Sequence, residues 1–127
     1  MVSKYVIVAE DTPNDLELNL AFIKRFIEDN NLDVEIHQVY DGRPLVDKVK
    51  AAEVAYDIIF TDNRMLELYG SEAIKQIRAL GFKMPICMVS GDDYSVERAV
   101  LDSGANDFIH KPVSYGAFEA VLKKYLL

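Results

Sequence analysis

A single cysteine, Cys87, lies inside an apolar run. It reads as a small core residue in a reducing compartment rather than as part of a disulfide framework. No window approaches the roughly 18 apolar residues of a membrane span, so no membrane is expected. No basic segment followed by an apolar one opens the chain, which leaves no secretory signal. These absences favour the cytoplasm. Cations are short too, since 14 Lys and Arg against 21 Asp and Glu give a net charge of −7. Direct binding of nucleic acid needs clustered cations on the phosphate backbone, so it is not expected. Six glycines and four prolines form no linker-like stretch, and there is no repeat or low-complexity segment. The 127 residues, half of them hydrophobic, are read as one domain over 1–127, large enough to bury a real core.

Strand and helix patterns alternate five times. Thr12 is a candidate N-cap for the first helix, Pro13 suits its first position, and Asp15 completes a capping-box-like pattern. Leu16, Leu20, Ile23 and Ile27 then repeat at helical spacing. Leu45, Val46 and Val49 mark a second helix. Ile74, Ile77 and Leu80 mark a third, stopped by Gly81. Val96, Ala99 and Val100 mark a fourth, which Gly104 can end as a left-handed cap. Phe118, Val121, Leu122 and Tyr125 give the inner face of a fifth.

The strands divide into two kinds. Tyr5 to Ala9, Ile58 to Thr61 and Ile86 to Val89 are almost continuously apolar, as strands covered on both faces should be. Val34 to Gln38 alternates, and Phe108-Ile109-His110 is short and ends polar, so these two read as edges. The simplest right-handed arrangement is an α/β, doubly wound (βα)5 domain. Its five-stranded parallel sheet would have the flavodoxin-like order 2-1-3-4-5.

Chemistry-bearing residues stand at the C-terminal ends of four of these strands: Glu10-Asp11, Asp62, Ser90, and Lys111-Pro112. In an open parallel sheet those ends share one edge, and ligands bind in the crevice there. Strands one and three would bring Glu10 and Asp11 opposite Asp62. At about 4 Å and an effective dielectric of about 20, each like-charged pair costs on the order of 4 kcal/mol. Protons or a cation must relieve such a cluster. Mg²⁺ suits it, because it prefers oxygen ligands, keeps several waters, and uses one or two carboxylates with phosphate oxygens. No EF-hand loop offers a calcium cage. Neither His37, His110 nor Cys87 shows zinc-ligand spacing, and both histidines read as ordinary strand residues. Singly, an Asp or Ser after a strand is a cap and Lys-Pro is common. Together they suit Mg²⁺-assisted phosphoryl transfer to an aspartate.

On these residues the chain resembles the receiver domains of two-component response regulators, of the kind found in chemotaxis. The resemblance runs through Val8-Ala9-Glu10-Asp11, Thr61-Asp62 with Met65 and Gly70 behind it, Val89-Ser90-Gly91, Gly104 to Phe108, and Lys111-Pro112-Val113. It implies that Asp62 is the phosphoacceptor and Asp11 a direct Mg²⁺ ligand. Glu10 would hold the metal through water, with Asp62 and the backbone carbonyl of Arg64 as further ligands. Ser90 and Lys111 would bind phosphoryl oxygens, Ser90 and Phe108 would form the switch, and the Lys111–Pro112 bond would be cis. Lys111 is expected to serve charge balance and signalling rather than folding, so that Lys111→Ala costs little stability. The implied donor is a histidine kinase or histidine phosphotransfer protein. The implied output is a protein target on the face of helix four, strand five and helix five, with Tyr94 and Tyr115 as candidate contacts. Family departures are Leu66, where proline is usual, Phe108, where tyrosine is more usual, and Arg64 beside the site.

Two rivals share some of these features. A haloacid-dehalogenase-type phosphohydrolase also places an Asp after a strand, but it wants a second Asp where Arg64 stands, and a lid. A pseudo-receiver would keep the fold without the chemistry, and the full acidic set with Ser90 and Lys111 argues against it. No effector domain is expected after the fifth helix, so output would pass through another protein. Met1, three residues before the first strand, slightly favours a free-standing regulator over a receiver cut from a hybrid kinase or longer regulator.

Overall fold

The computed structural model describes residues 3–92 and 94–127, and only the backbone at 94 and 95. Alternating apolar runs and amphipathic stretches give ten elements. These are β1 (Lys4–Ala9), α1 (Pro13–Asp29), β2 (Val34–Val39), α2 (Gly42–Ala51), β3 (Ile58–Thr61), α3 (Gly70–Ala79), β4 (Ile86–Ser90), α4 (Tyr94–Asp102), β5 (Asp107–His110) and α5 (Tyr115–Leu126). The strands pair in parallel in the order β2-β1-β3-β4-β5, with the two polar-patterned strands at the edges as their sequences require.

Both sheet faces are covered. Val6, Val8, Ile58, Phe60, Cys87, Val89 and Ile109 form one apolar layer with Ile23 and Phe26 of α1 and Phe118 and Leu122 of α5. Ile7, Ala9, Ile59, Ile86 and Met88 form the other with Leu45, Val49, Ile74, Ile77 and Val100 of α2, α3 and α4. Successive strand residues point to opposite faces, which is why the central strands are apolar throughout. Cys87 is fully buried, and burial pushes its thiol well above the usual range.

Four expectations change. Thr12 makes no side-chain cap bond, and the first helical bond of α1 runs from Leu16 N–H to the Thr12 carbonyl at 2.9 Å. Asp15 is drawn away from the helix end to a lysine, described below. Leu80 is the C-cap of α3 and 46% exposed, because it lies past the last inward-facing turn. Tyr115 was expected on the face of α4, β5 and α5. It packs instead against α1, with the Arg25 guanidinium 3.8 Å above its ring and the Phe22 ring 5.9 Å away. A guanidinium over an aromatic face is an attractive pair, and it turns the first turn of α5 toward α1. Met1 and the Tyr94 side chain lie outside the described residues.

Candidate functional site

Backbone ladders run past the strand ends and set the site. Glu10 N–H reaches the Val39 carbonyl at 3.1 Å, Asp62 N–H the Ala9 carbonyl at 2.9 Å, and Lys111 N–H the Ser90 carbonyl at 2.9 Å. Glu10, Asp62, Ser90 and Lys111 are thereby held on one edge. Glu10, Asp11 and Asp62 each bring an oxygen within 4.8 Å of the other two. Glu10, Asp62 and Ser90 are buried and Asp11 is exposed. The Lys111–Pro112 peptide bond is cis.

Lys111 is the cation of the cluster. Its Nζ lies 2.9 Å from Glu10 Oε1, 3.0 Å from Asp15 Oδ2 and 3.6 Å from Asp62 Oδ1. Burial raises the Glu10 carboxyl to about 7 against the opposing pull of Lys111, with Asp62 adding to the rise. Burial likewise raises Asp62, while Lys111 and a hydrogen bond from Glu10 pull it down. The contacts with these carboxylates hold Lys111 above the usual lysine range despite its own burial. Three carboxylates whose oxygens lie within 4.8 Å of one another, with Glu10 raised chiefly by burial, fit a hard, oxygen-seeking divalent cation.

An open cleft beside the cluster is lined by Asp62, Arg64, Ser90, Gly91, Asp92 and Lys111. An acid, a hydroxyl and an ammonium thus face one space large enough for a small anion. The sequence profile of the response regulator receiver domain matches residues 6–123.

The chain belongs to that family.

The two-component response regulator ORR41 of Oryza sativa subsp. japonica is 32% identical over 93 residues, which are 72% of this chain and 73% of that protein. The chain spans less than half the length of several other regulators that it matches. Solved structures agree on the fold. The receiver domain of sensor histidine kinase PA1611 from Pseudomonas aeruginosa PAO1, with a magnesium ion coordinated in its active site cleft, superposes with a TM-score of 0.81 at 24% identity, covering 98% of both chains. The receiver domain of Ssk1 from Saccharomyces cerevisiae, solved with the histidine phosphotransfer protein Ypd1, gives 0.75 at 24% identity over 98% of this chain and 89% of that one. The protein is therefore a receiver domain of the two-component signalling class. No helix among the described residues is long and apolar enough to cross a membrane.

Several residues that hold this receiver site together were missed from the sequence. Asn63 N–H donates to Asp62 Oδ1 at 2.8 Å, while Asn63 Oδ1 accepts from Ser71 N–H at 3.0 Å and so caps α3. Asp92 accepts from Asn63 Nδ2 at 2.7 Å, Arg64 Nε at 2.6 Å and Ser90 Oγ at 3.0 Å. Burial alone would raise the Asp92 carboxyl, but these three donors outweigh it and hold it below the usual range. Asp41 caps α2 through Gly42 N–H at 2.7 Å and takes the N–H groups of Glu67 and Leu68 at 2.9 Å each, pinning the loop behind Asp62. Only Asp41 carried a signal, as an Asp-Gly pair opening a helix. Asn63 and Asp92 are ordinary polar residues after strands. Phe108 is half-buried and stacks on His110, ring centroids 4.4 Å apart, with Glu97 of α4 3.4 Å from His110 Nε2.

The ion pairs of Lys111 argue against the expectation that its loss costs little stability. Removing one partner of a buried pair leaves the other charge uncompensated, and the Glu10 side chain is fully buried. Lys111→Ala is expected to lower stability by about 2 kcal/mol at pH 8. The loss should shrink at pH 6, where Glu10 takes up a proton instead. Urea unfolding at the two pH values measures both, and an equal loss at each would contradict the role given to Glu10.

Proposed function

We propose that this receiver, read as a single domain over 1–127, accepts a phosphoryl group on Asp62 from a phosphohistidine of a histidine kinase or phosphotransfer protein. It then passes the signal on through a protein surface. The observation that carries this reading is the cleft in which the Asp62 carboxylate faces Ser90 and Lys111. An Asp62 oxygen forms the bond to phosphorus as the donor's P–N bond breaks, the bonding pair stays on that nitrogen, and neutral imidazole leaves with the proton its other ring nitrogen already carried. Positioning and charge stabilisation carry such transfers. Lys111 offers an ammonium and Ser90 a hydroxyl to the equatorial oxygens, and water later hydrolyses the aspartyl phosphate.

Mg²⁺ would be held by Asp11 and Asp62 directly, by Glu10 through water, and by the Arg64 carbonyl. When bound it would neutralise phosphoryl charge. The mutual reach of the Glu10, Asp11 and Asp62 oxygens supports that set. Incubating the protein with a small acyl phosphate, with and without Mg²⁺, tests the reading. One phosphoryl group should be added only with the metal, and no incorporation in its presence would sink the proposal.

The Glu10 carboxyl also sets a pH dependence. Its folded value of about 7 lies above the ordinary 4.5. The folded state therefore holds the extra proton below about pH 7, and that stabilisation fades as pH rises through 7. In EDTA, stability is expected to fall by about 1 kcal/mol between pH 6 and pH 8. Millimolar Mg²⁺ displaces the proton and should reverse the trend. Melting curves at the two pH values that keep the same slope with and without Mg²⁺ would argue against metal at Glu10.

For output, a phosphoryl oxygen drawing Ser90 inward would open space for Phe108. The stack of Phe108 on His110 and the approach of Glu97 to His110 supply a contact from β5 to α4. The target face would then be that of α4, β5 and α5, in the cytoplasm.

A further inference from the structure

We infer that Asp92 is a resident competitor that holds the donors an incoming phosphoryl group needs. It occupies the Ser90 hydroxyl and the Arg64 guanidinium before Asp62 is phosphorylated, and so sets how readily Asp62 accepts. The inference rests on Asp62 being the acceptor. A serine hydroxyl has one proton to donate. Here Ser90 Oγ gives it to Asp92 Oδ2 at 3.0 Å and accepts from Asp92 N–H at 3.1 Å. Asp92 Oδ2 also holds Asn63 Nδ2 at 2.7 Å, and Oδ1 holds Arg64 Nε at 2.6 Å. Each of these donors stands beside Asp62 or on the wall of the same cleft.

The Asp92 side chain is 4% exposed, whereas that of Arg64 is 74% exposed. The carboxylate is therefore the fixed partner and the arginine the reaching one. A carboxylate and a phosphoryl oxygen are both anionic acceptors that form strong charge-assisted bonds. A phosphoryl group arriving on Asp62 must take the Ser90 proton from an acceptor of its own kind, against the negative charge that Asp92 puts on the cleft wall. Asp92 acts through Ser90 and Arg64, which makes it a positioning residue.

The test compares the unmodified chain with Asp92→Asn, Ser90→Ala and the double variant. Acetyl phosphate with Mg²⁺ supplies the phosphoryl group. Its P–O bond to the acetyl group breaks as an Asp62 oxygen bonds to phosphorus, and acetate leaves. Beryllofluoride serves as the equilibrium probe. Asp92→Asn should be labelled at least fivefold faster and half-saturated by beryllofluoride at least fivefold lower. In the Ser90→Ala background the same substitution should gain less than twofold. No gain, or the same gain with and without the Ser90 hydroxyl, overturns the inference, the second outcome leaving only a charge on the cleft wall. Should Asp92→Asn fold poorly, the Asp92 carboxyl carbon resonance of the unmodified chain gives the answer. It should shift when beryllofluoride is added, and a fixed resonance overturns the inference. Label lost in Asp62→Asn but unchanged in Asp92→Asn removes this inference and leaves the acceptor reading intact. An unmodified chain that takes neither label nor beryllofluoride removes both.

Discussion

Asp62→Asn is expected to abolish phosphoryl incorporation from a small donor, to below one part in a hundred of the unmodified chain, while leaving the fold intact. The argument is one of access. Glu10 is fully buried and its Oε1 is tied to Lys111 at 2.9 Å. Asp11 is exposed but does not line the cleft that holds Ser90 and Lys111. Asp62 alone of the three carboxylates faces that cleft. An amide at this position keeps an oxygen for the Asn63 N–H, which now reaches Asp62 Oδ1 at 2.8 Å. It also removes one of the like charges that burial already penalises. Stability should therefore stay within about 1 kcal/mol of the parent, the scale of one exchanged hydrogen bond. Intact-protein mass measurement after reaction, beside urea unfolding of both proteins, separates lost chemistry from lost structure. Label that persists in a folded Asp62→Asn protein would move the acceptor elsewhere.

How legible this was depends on the range of the interactions involved. The sheet order followed from the contrast between Ile58-Ile59-Phe60 and the alternating Val34 to Gln38, because burial on two faces or one is written into each strand's own pattern. The strand-end positions of Glu10, Asp62, Ser90 and Lys111 were legible for the same reason. Asp15 was misread as a local cap because the lysine that claims it lies 96 residues away. Asp92 was passed over because a polar residue after a strand says nothing about three donors meeting there, two from the loop after β3 and one from the end of β4. Ala52 ends α2 in the left-handed region at φ 52°, where glycine would be the usual signal. Tyr115 looked like a free aromatic until Arg25, on a helix far away in the chain, was seen above it. Patterns that one element carries by itself, and the strand order they imply, could be read, and side-chain partners such as Lys111 for Asp15 or Arg25 for Tyr115 could not.

Gly70→Ala is expected to destabilise the domain by about 3 kcal/mol, at the upper end of overpacking effects, and to slow phosphorylation of Asp62. Alanine is the better helix former by about 1 kcal/mol, and Gly70 opens α3, so propensity alone predicts a gain. Sterics oppose it. A Cβ at Gly70 would stand 2.0 Å from the Asp62 carbonyl oxygen, 3.0 Å from its carbonyl carbon and 3.1 Å from Asn63 Cα. These are backbone atoms and cannot rotate aside as a side chain would. The Gly70 N–H also holds the Asn63 carbonyl at 2.8 Å, so α3 cannot back away without breaking that bond. Relief must come from moving the end of β3, which leads into Asp62, the proposed acceptor, or the loop that carries Arg64. Either movement disturbs the geometry of Asp62 against Ser90 and Lys111. Gly116 is the control, since a Cβ there meets nothing within 4 Å, and Gly116→Ala should be neutral or stabilising by up to about 1 kcal/mol. Urea unfolding and labelling rates of the two variants measure the contrast. A Gly70→Ala protein as stable and as fast as its parent would show that the end of β3 yields freely, and Asp62 would then not be held by close approach of α3.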